Sequence, residues 1–211
     1  WEAVIIDDCS TDNTKAILDK YSMGDSRIKV FYLDQNLGAA EARNNSLKKS
    51  TSKYIAFLDS DDFWHKEKLE KQLSFMEGND YPITFTSYEL VNEDGFSINK
   101  TIKSQKLVTY NSYLKNTIIG MSTAMINCEK IVKLTFKNIR TRQDTYLWIS
   151  LLRQGFTAHG MNDVLCSYRV REQSISANKL AAAKQVWRLY YKFEKLGLLK
   201  SFYFFAHYTF N

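Results

Sequence analysis

The sequence has few of the residues that mark fibrous, disordered or cross-linked chains. Its 211 residues include one proline, eight glycines and three cysteines, and it contains no internal repeat, which excludes collagen-like, low-complexity and solenoid architectures. Cys9, Cys128 and Cys166 are odd in number and far apart, with no Cys-x-x-Cys pair, so neither a disulfide framework nor a zinc knuckle is indicated. This cysteine usage is typical of a reducing compartment such as the cytoplasm.

Long apolar runs and a strong charge imbalance are also missing. No apolar stretch approaches the ~20 residues of a membrane-spanning helix, and no signal peptide opens the sequence. The net charge of +6 favours anionic partners without distinguishing among them. A hydrophobic fraction of 45% and an aromatic fraction of 14% are enough for one large domain with a buried core.

The first 80 residues alternate between short apolar segments and amphipathic ones. The apolar segments predict buried strands, and the amphipathic segments, which follow Asp12 and Gly38 among others, predict helices. Three strand-and-helix repeats favour a parallel sheet with helices on both faces, in which ligands bind beyond the carboxyl ends of the strands. The predicted strands are 3–6, 28–33 and 54–58, and the predicted helices are 13–21, 37–49 and 66–76.

The pattern is less regular after Pro82. Apolar segments flank a turn at 92–95, which predicts a hairpin and a mixed or antiparallel sheet in this half. A helix is expected from 178 to 196, where Gly197 interrupts it. The other predicted elements are strands at 83–90, 96–102, 121–126, 156–159 and 164–168 and a helix at 143–154.

Three carboxylates, Asp59, Asp61 and Asp62, follow the third predicted strand. Their mutual repulsion costs free energy unless a cation neutralises it. Mg²⁺ or Mn²⁺ binds carboxylate oxygens and keeps positions open for a substrate's phosphates. The alternative is a solvated turn that caps the next helix, which is the simpler interpretation for Asp62 alone.

Asp7 and Asp8 follow the first predicted strand, and in a parallel sheet they would share an edge with Asp59. A carboxylate here is able to accept hydrogen bonds from a nucleobase N–H or a ribose hydroxyl. Equally, both residues are suited to begin the turn that Ser10 and Asp12 cap. The spacing leaves both interpretations open.

Asp144 lies near the start of the predicted helix at 143–154. A carboxylate at this position usually caps the helix or interacts with its dipole. If it faces a cleft, it is instead able to act as a general base toward an attacking hydroxyl. The spacing does not choose between these roles.

Three blocks of residues, in this order and spacing, resemble the family 2 glycosyltransferases of GT-A fold. They are VIIDDCSTDNT at 4–14, NLGAAEARN at 36–44 and FLDSDD at 57–62, and the resemblance extends over residues 1–176. It implies an α/β fold in which a mainly parallel, Rossmann-like sheet is flanked by helices, with a smaller mixed or antiparallel acceptor-side part and a helical C-terminus.

The resemblance implies a set of residues that bind the nucleotide sugar. Asp8, together with Asp7, would contact the base, and Arg43 would hold the base or order its pocket. Asp59, the first residue of the family's Asp-x-Asp motif, would face the ribose or phosphate. Residues 168–176, YRVREQSIS, resemble the late active-site loop, which adds Arg169 and Arg171 to this set.

The resemblance also implies a metal site and a base. Asp61, with Asp62 as the competing candidate, would ligate Mn²⁺ or Mg²⁺, and Asp144 would be the catalytic base. Two positions depart from the family pattern. Arg171 stands where many relatives carry a metal-ligating His, a role that the protonated guanidinium cannot take, and Gln143 stands where many carry Glu.

The function implied is an inverting transfer of a sugar from a nucleoside diphosphate sugar, expected to be a UDP-sugar, to an acceptor hydroxyl. The acceptor would be a glycan or a lipid-linked saccharide, and no nucleic-acid partner is expected. One alternative is a non-catalytic module of the same fold that binds a nucleotide sugar or saccharide. Another is a haloacid dehalogenase-like phosphotransferase, whose pattern needs Thr or Val where Phe63 stands.

The two ends of the sequence carry further expectations. Because it opens on Trp1, directly in an apolar run, we expect a strand and helix upstream in the natural polypeptide. We expect a glycosyltransferase domain at 1–177 and a helical, basic and aromatic extension at 178–211. A basic amphipathic helix followed by aromatic residues suits an anionic membrane surface, which predicts a cytoplasmic protein, peripheral on the inner face of the cell membrane. The alternative is that the apolar stripe packs on the catalytic domain.

Overall fold

The computed structural model describes residues 1–171 and 179–210. These residues form two compact units, each with its own sheet. The first unit consists of residues 1–53 and 133–143, and the second contains the other described residues. The predicted domain boundary at 177/178 lies outside the described residues.

The first unit is built on two parallel strands, β1 (Ala3–Asp7) and β2 (Ile28–Tyr32). Helix α1 (Thr14–Gly24) connects them, and α2 (Ala39–Lys49) follows β2. These elements confirm the predicted alternation over this part of the chain. Gly38 precedes α2 with a φ of 85°, a conformation that glycine adopts without steric cost.

The second unit contains a mixed sheet of seven strands. Four strands follow β3 in the order β3-β8-β5-β9-β4, while β6 pairs with β5 and β7 with β9. Only the β5–β9 pair is parallel among the pairs of this unit that the structure describes. The strands are β3 (Tyr54–Ala56), β4 (Phe63–Trp64), β5 (Ile83–Val91), β6 (Ser97–Ile102), β7 (Leu107–Val108), β8 (Ala124–Asn127) and β9 (Ala158–Arg169).

Helices complete this unit and bury its core. Helix α3 packs on β5 and β9, and Trp148 and Ile149 of α5 are fully buried. The helices are α3 (Lys68–Gly78), α4 (Tyr110–Lys115), α5 (Gln143–Arg153), α6 (Lys179–Arg188) and α7 (Leu198–Phe210), with a 3-10 turn at Met121–Thr123 and a π-helical segment at Leu189–Phe193.

Some details of the predicted strands were wrong. We expected β1 and β3 in one parallel sheet, but β3 belongs to the second sheet and lies antiparallel to β8. Pairing partners are fixed by packing between distant segments, which chain order does not reveal. The predicted strands at 156–159 and 164–168 are one strand, β9, because register shifts opposite Ser87 absorb the residues between them.

The C-terminal helices belong to the second unit and pack within it. Val186, Leu189 and Tyr190 are buried, and the Tyr190 hydroxyl donates a hydrogen bond to the Leu114 carbonyl at 2.6 Å. These three residues belong to the apolar stripe of the predicted helix at 178–196 (Val186, Leu189, Tyr190, Phe193 and Leu196), which is therefore buried at these positions. No helix within the described residues combines the length and hydrophobicity needed to cross a bilayer.

Candidate active site

The turn after β1 uses both of its carboxylates as acceptors. Asp7 accepts hydrogen bonds from the backbone N–H and the hydroxyl of Ser10. The two oxygens of Asp8 accept the N–H groups of Leu37 and Gly38 at 2.7 and 2.8 Å. Asp8 therefore fixes the loop that leads into α2, which supports the turn-forming interpretation of these residues.

Arg43 lies on α2 in the same unit. Its guanidinium carbon is 5.5 Å from the centroid of the Phe136 ring, a cation–π distance. The neighbouring Asn44 exchanges two hydrogen bonds with the backbone of Phe136, at 2.9 and 2.8 Å. The segment around Phe136 is thus fixed to α2 next to the predicted base-binding arginine.

The turn after β3 is organised by a residue that the sequence did not single out. The Asp59 N–H donates to the Ser122 hydroxyl at 3.0 Å, and the Asp62 N–H donates to the Asp59 carbonyl at 3.0 Å. The Ser122 carbonyl accepts the indole N–H of Trp64 at 2.7 Å. Ser122, on the 3-10 turn, therefore joins both ends of the acidic turn, although a single serine carries no sequence signal for this role.

Asp62 is the buried member of the acidic turn. Its side chain accepts the Arg169 N–H at 3.1 Å, and its residue exposure is 8%. Burial raises the pKa of Asp62 to about 6, and the nearby charges of Asp59 and Asp61 act in the same direction. Asp62 thus ties the acidic turn to the end of β9.

Asp61 is a half-buried member of the acidic turn. Its carboxylate lies 3.6 Å from Nε of Arg171 and is 36% exposed. Its backbone carbonyl accepts Nε–H of Arg169 at 3.0 Å. The guanidinium of Arg169 also contacts the Glu93 carbonyl and lies 4.8 Å from the centroid of the Phe63 ring. In this structure Arg169 is held by backbone oxygens, whereas Arg171 faces a carboxylate.

The pKa of Tyr168 is influenced both by Asp144 and by the acidic turn. Burial raises the pKa of the Tyr168 hydroxyl, and four carboxylates raise it further: Asp62, Asp61, Asp59 and Asp144. Asp144 is half-buried in the first turn of α5 and accepts the Thr145 hydroxyl at 3.4 Å. The amide of Gln143 donates instead to the Arg140 carbonyl at 3.2 Å.

A buried polar network lies beneath the acidic turn. Lys68 is fully buried, and its ammonium donates to the Gln72 side-chain carbonyl at 2.6 Å and lies 4.3 Å from the centroid of the Trp64 ring. Gln72 donates in turn to the Thr123 carbonyl at 2.9 Å. Burial lowers the pKa of Lys68 to about 7. Sequence analysis missed this network because a lysine on an amphipathic helix normally predicts a solvated residue.

The donor set fits a metal site in which the substrate supplies part of the coordination. Among residues 1–171 and 179–210, no group of three or more His, Cys, Asp or Glu side chains is arranged to hold a metal ion. Mg²⁺ commonly takes one or two protein carboxylates together with substrate phosphates. Asp61 suits that mode because its carboxylate is accessible, and Asp62 suits it less because it is buried on the Arg169 N–H.

Comparison with known proteins decides the family. The profile described as Glycosyl transferase family 2 matches residues 1–140. The chain belongs to glycosyltransferase family 2. It is 49% identical, over all of its length and 84% of the relative, to TuaG of Bacillus subtilis, a glycosyltransferase assigned to teichuronic acid biosynthesis.

The name of a second relative states its donor, its acceptor and the bond that it forms. The chain is 36% identical over 96% of its length, and 79% of the relative, to WfgD of Escherichia coli, a UDP-Glc:alpha-D-GlcNAc-diphosphoundecaprenol beta-1,3-glucosyltransferase. Membership of family 2 excludes the haloacid dehalogenase-like alternative and confirms the predicted family.

Solved structures confirm the GT-A fold. TarS of S. aureus in complex with UDP-GlcNAc has a TM-score of 0.69 at 21% identity, with 89% of this chain and 55% of TarS covered. The mannosyltransferase PcManGT of Pyrobaculum calidifontis, in complex with GDP-Man and Mn²⁺, has a TM-score of 0.68 at 16% identity, with 98% and 59% covered. This family 2 chain therefore spans little more than half of those two structures. Ser174 and Ser176 of the predicted active-site loop lie outside its described residues.

Proposed function

We propose that this glycosyltransferase carries out an inverting transfer of a sugar from a UDP-sugar to a hydroxyl of a glycan or lipid-linked saccharide. Two findings support the substrates. The relative WfgD is named for a UDP-glucose donor and a diphosphoundecaprenol-linked acceptor, and the structural neighbour TarS was solved with UDP-GlcNAc. The proposed UDP-sugar donor follows chiefly from WfgD, which is 36% identical to this chain.

The observation that supports the proposal is that four carboxylates from two different elements all raise the pKa of Tyr168. Asp144 comes from the first turn of α5, whereas Asp59, Asp61 and Asp62 come from the turn after β3, and all four act on the Tyr168 hydroxyl. A transferase that works by direct displacement needs a base on the acceptor side and a charge-stabilising site on the donor side. These two groups of carboxylates supply candidates for both.

In the proposed mechanism, Asp144 accepts the proton of the acceptor hydroxyl as its oxygen attacks the anomeric carbon. The attack comes from the face opposite the nucleotide, so the configuration inverts and no covalent enzyme intermediate forms. Arg171, which faces Asp61 at 3.6 Å, and Arg169 stabilise the negative charge on the diphosphate leaving group.

The proposed metal ligand is Asp61, with Asp62 as the second candidate, and the ion is Mn²⁺ or Mg²⁺. When bound, the ion acts as a Lewis acid that neutralises charge on the diphosphate. The mannosyltransferase PcManGT, a structural neighbour solved with Mn²⁺, supports a divalent ion. Asp59 is proposed to orient the ribose or phosphate.

The remaining proposed donor contacts come from the first unit. We assign base binding to Asp8, with Asp7, and to Arg43 beside Phe136. The hydrogen bonds that Asp8 accepts from Leu37 and Gly38 do not exhaust its acceptor capacity, because each carboxylate oxygen has two lone pairs. They hold the carboxylate in one orientation, which favours a specific contact.

The decisive experiment combines a donor panel with one substitution. Product formation is first measured with uridine, guanosine and thymidine diphosphate sugars, and we expect turnover with a UDP-sugar. Asp144→Asn should then lower kcat by about 1,000-fold, because the base is lost, while calorimetry gives an unchanged Kd for UDP. Asp163→Asn, which removes an exposed carboxylate on β9, is the matched control.

Three outcomes would contradict the proposal. Turnover with none of the donors would favour the non-catalytic module. Unchanged turnover in Asp144→Asn would remove Asp144 as the base. Retention of the anomeric configuration in the product, measured by NMR, would exclude the inverting mechanism.

A further inference from the structure

Helix α7 is apolar on two opposite faces, and only one of them is buried. Ser201 and Phe204 point into the protein with exposures of 0% and 9%, and the Phe204 ring lies 6.5 Å from that of Tyr190. The opposite face stays open to solvent. It is defined here as the outer face of α7, and its residues are Leu198, Leu199, Phe202 and Tyr203, with exposures of 64%, 88%, 67% and 49%.

These four side chains form one continuous patch. Leu198 and Phe202 are four residues apart, as are Leu199 and Tyr203, so the two pairs form neighbouring rows on one side of the helix. Leu199 and Tyr203 also line a shallow hollow of about 400 Å³ together with Leu196 and Lys200. Scattered single apolar residues are normal on a protein surface, but a contiguous group of this kind marks a binding surface.

The exposed charges of the C-terminal segment that carries the outer face have one sign. Within residues 179–210 the sequence has six Lys and Arg residues and one acidic residue, Glu194. Glu194 is buried and lies 3.3 Å from the guanidinium of Arg153. The basic side chains whose positions are described are exposed: Lys184, Arg188, Lys192, Lys195 and Lys200.

A further cation lies against the patch itself. Nζ of Lys115 is 5.2 Å from the centroid of the Tyr203 ring. The outer face therefore combines exposed apolar side chains with exposed basic residues in the same segment. A second copy of the chain would bring the same positive charges together at a two-fold interface, which disfavours self-association through this face.

We infer that the outer face of α7 docks on the surface of a bilayer that contains anionic phospholipids. Leu198, Leu199 and Phe202 would enter the boundary between headgroups and acyl chains, and the surrounding lysines would pair with headgroup phosphates. With 13 residues, α7 lies along the surface rather than across the bilayer. This inference concerns binding alone and does not depend on the proposed sugar transfer.

The test is co-sedimentation of the full-length natural protein with phospholipid vesicles. Phosphatidylcholine vesicles with about 30% phosphatidylglycerol should pellet the protein, and vesicles of phosphatidylcholine alone should pellet much less of it. The double substitution Leu199→Ser with Phe202→Ser should lower the partition coefficient by about tenfold or more, because two apolar anchors are lost. Raising the salt concentration to about 1 M should weaken binding, since it screens the headgroup attraction.

The matched control is Met23→Ser with Phe96→Ser, which removes two apolar side chains of similar exposure, 86% and 72%, outside α7. Circular dichroism melting confirms that both double variants fold. Equal pelleting of the α7 variant and the control would overturn the inference, as would equal pelleting with and without phosphatidylglycerol. Gel filtration that shows a dimer lost only in the α7 variant, without vesicle binding, would assign the face to a second copy and overturn it too.

Discussion

The two acidic turns of this chain look alike in sequence but use their carboxylates differently. After β1, the oxygens of Asp8 accept the backbone N–H groups of Leu37 and Gly38. After β3, the carboxylate of Asp61 meets a side-chain cation at 3.6 Å and stays 36% exposed. The Asp8 carboxylate binds the backbone of the loop before α2, and the Asp61 carboxylate remains partly exposed.

The difference shows how the same strand-to-turn pattern serves two purposes. A carboxylate that accepts backbone N–H groups stabilises a loop, and a ligand uses only its remaining lone pairs. A carboxylate that faces Arg171 and solvent is able to exchange that weak, exposed contact for a ligand. We therefore expect substitutions in the first turn to affect stability first, and substitutions in the second to affect turnover first.

Between the two acidic turns, the largest expected effect is on turnover, through Asp61. Asp61→Asn should lower kcat by about 100-fold with the donor identified by the panel, because a charge at the proposed donor site is removed. The melting temperature should change by no more than about 1 °C, since an exposed ion pair contributes little stability. Asp94→Asn, in the exposed hairpin turn, controls for loss of one negative charge. An unchanged kcat would show that Asp61 does not contribute to turnover and would contradict the expected difference between the two turns.

The next effect is a pH dependence of stability from the network beneath the second turn. Burial lowers the pKa of Lys68 to about 7 in the folded protein, from the ordinary lysine value of 10.5. Between these values the unfolded chain binds a proton that the folded chain does not, so the free energy of unfolding rises with pH. From pH 7 to pH 9 the increase should be about 2 kcal/mol.

Urea denaturation at the two pH values measures this increase. Lys68→Met should abolish most of it, whereas Lys66→Met, at an exposed position two residues away, should preserve it. If Lys68→Met kept the full pH dependence, a group other than Lys68 would cause it, and the inferred titration of the buried lysine would be wrong.

The smallest expected effect is on stability through Asp8. Asp8→Ala removes the acceptor of two backbone N–H groups at the start of α2, which should lower the free energy of unfolding by about 1–2 kcal/mol. Asp34→Ala, an exposed carboxylate of the same unit, should change it by less than about 0.5 kcal/mol. Denaturant titration compares the two variants, and equal stabilities would show that Asp8 does not hold the loop.

The sequence predicted local structure well and distant pairing poorly. The apolar runs at β1 and β2 and the polar turn before Phe96 depend on neighbouring residues, so their patterns are visible in the sequence. The antiparallel partner of β3 is β8, some 70 residues away in the sequence. Nothing in the sequence of either strand indicates that it pairs with the other. The two-residue strand β4 was missed because it is too short to show a period.

The candidate site shows the same division. The acidic residues were found because they cluster after apolar strands. Ser122 and Gln72 were missed, because each acts through a single contact to a backbone group that folding brings near it. The contrast in exposure between Asp61 and Asp62 was also hidden in the sequence. It depends on the end of β9, where the Arg169 N–H donates a hydrogen bond to the Asp62 carboxylate.

The long strand β9 also has a consequence for synthesis on the ribosome. The β1–β2 pair joins residues 3 and 28 and is able to form soon after it emerges, whereas β9 meets β5 through pairs such as Ile83 with Ala158. Contacts between such distant segments form late. The acidic turn after β3 is therefore translated early but acquires its Arg169 partner only when β9 has left the exit tunnel. A nascent chain halted before that point has the sequence of the proposed donor site without its geometry.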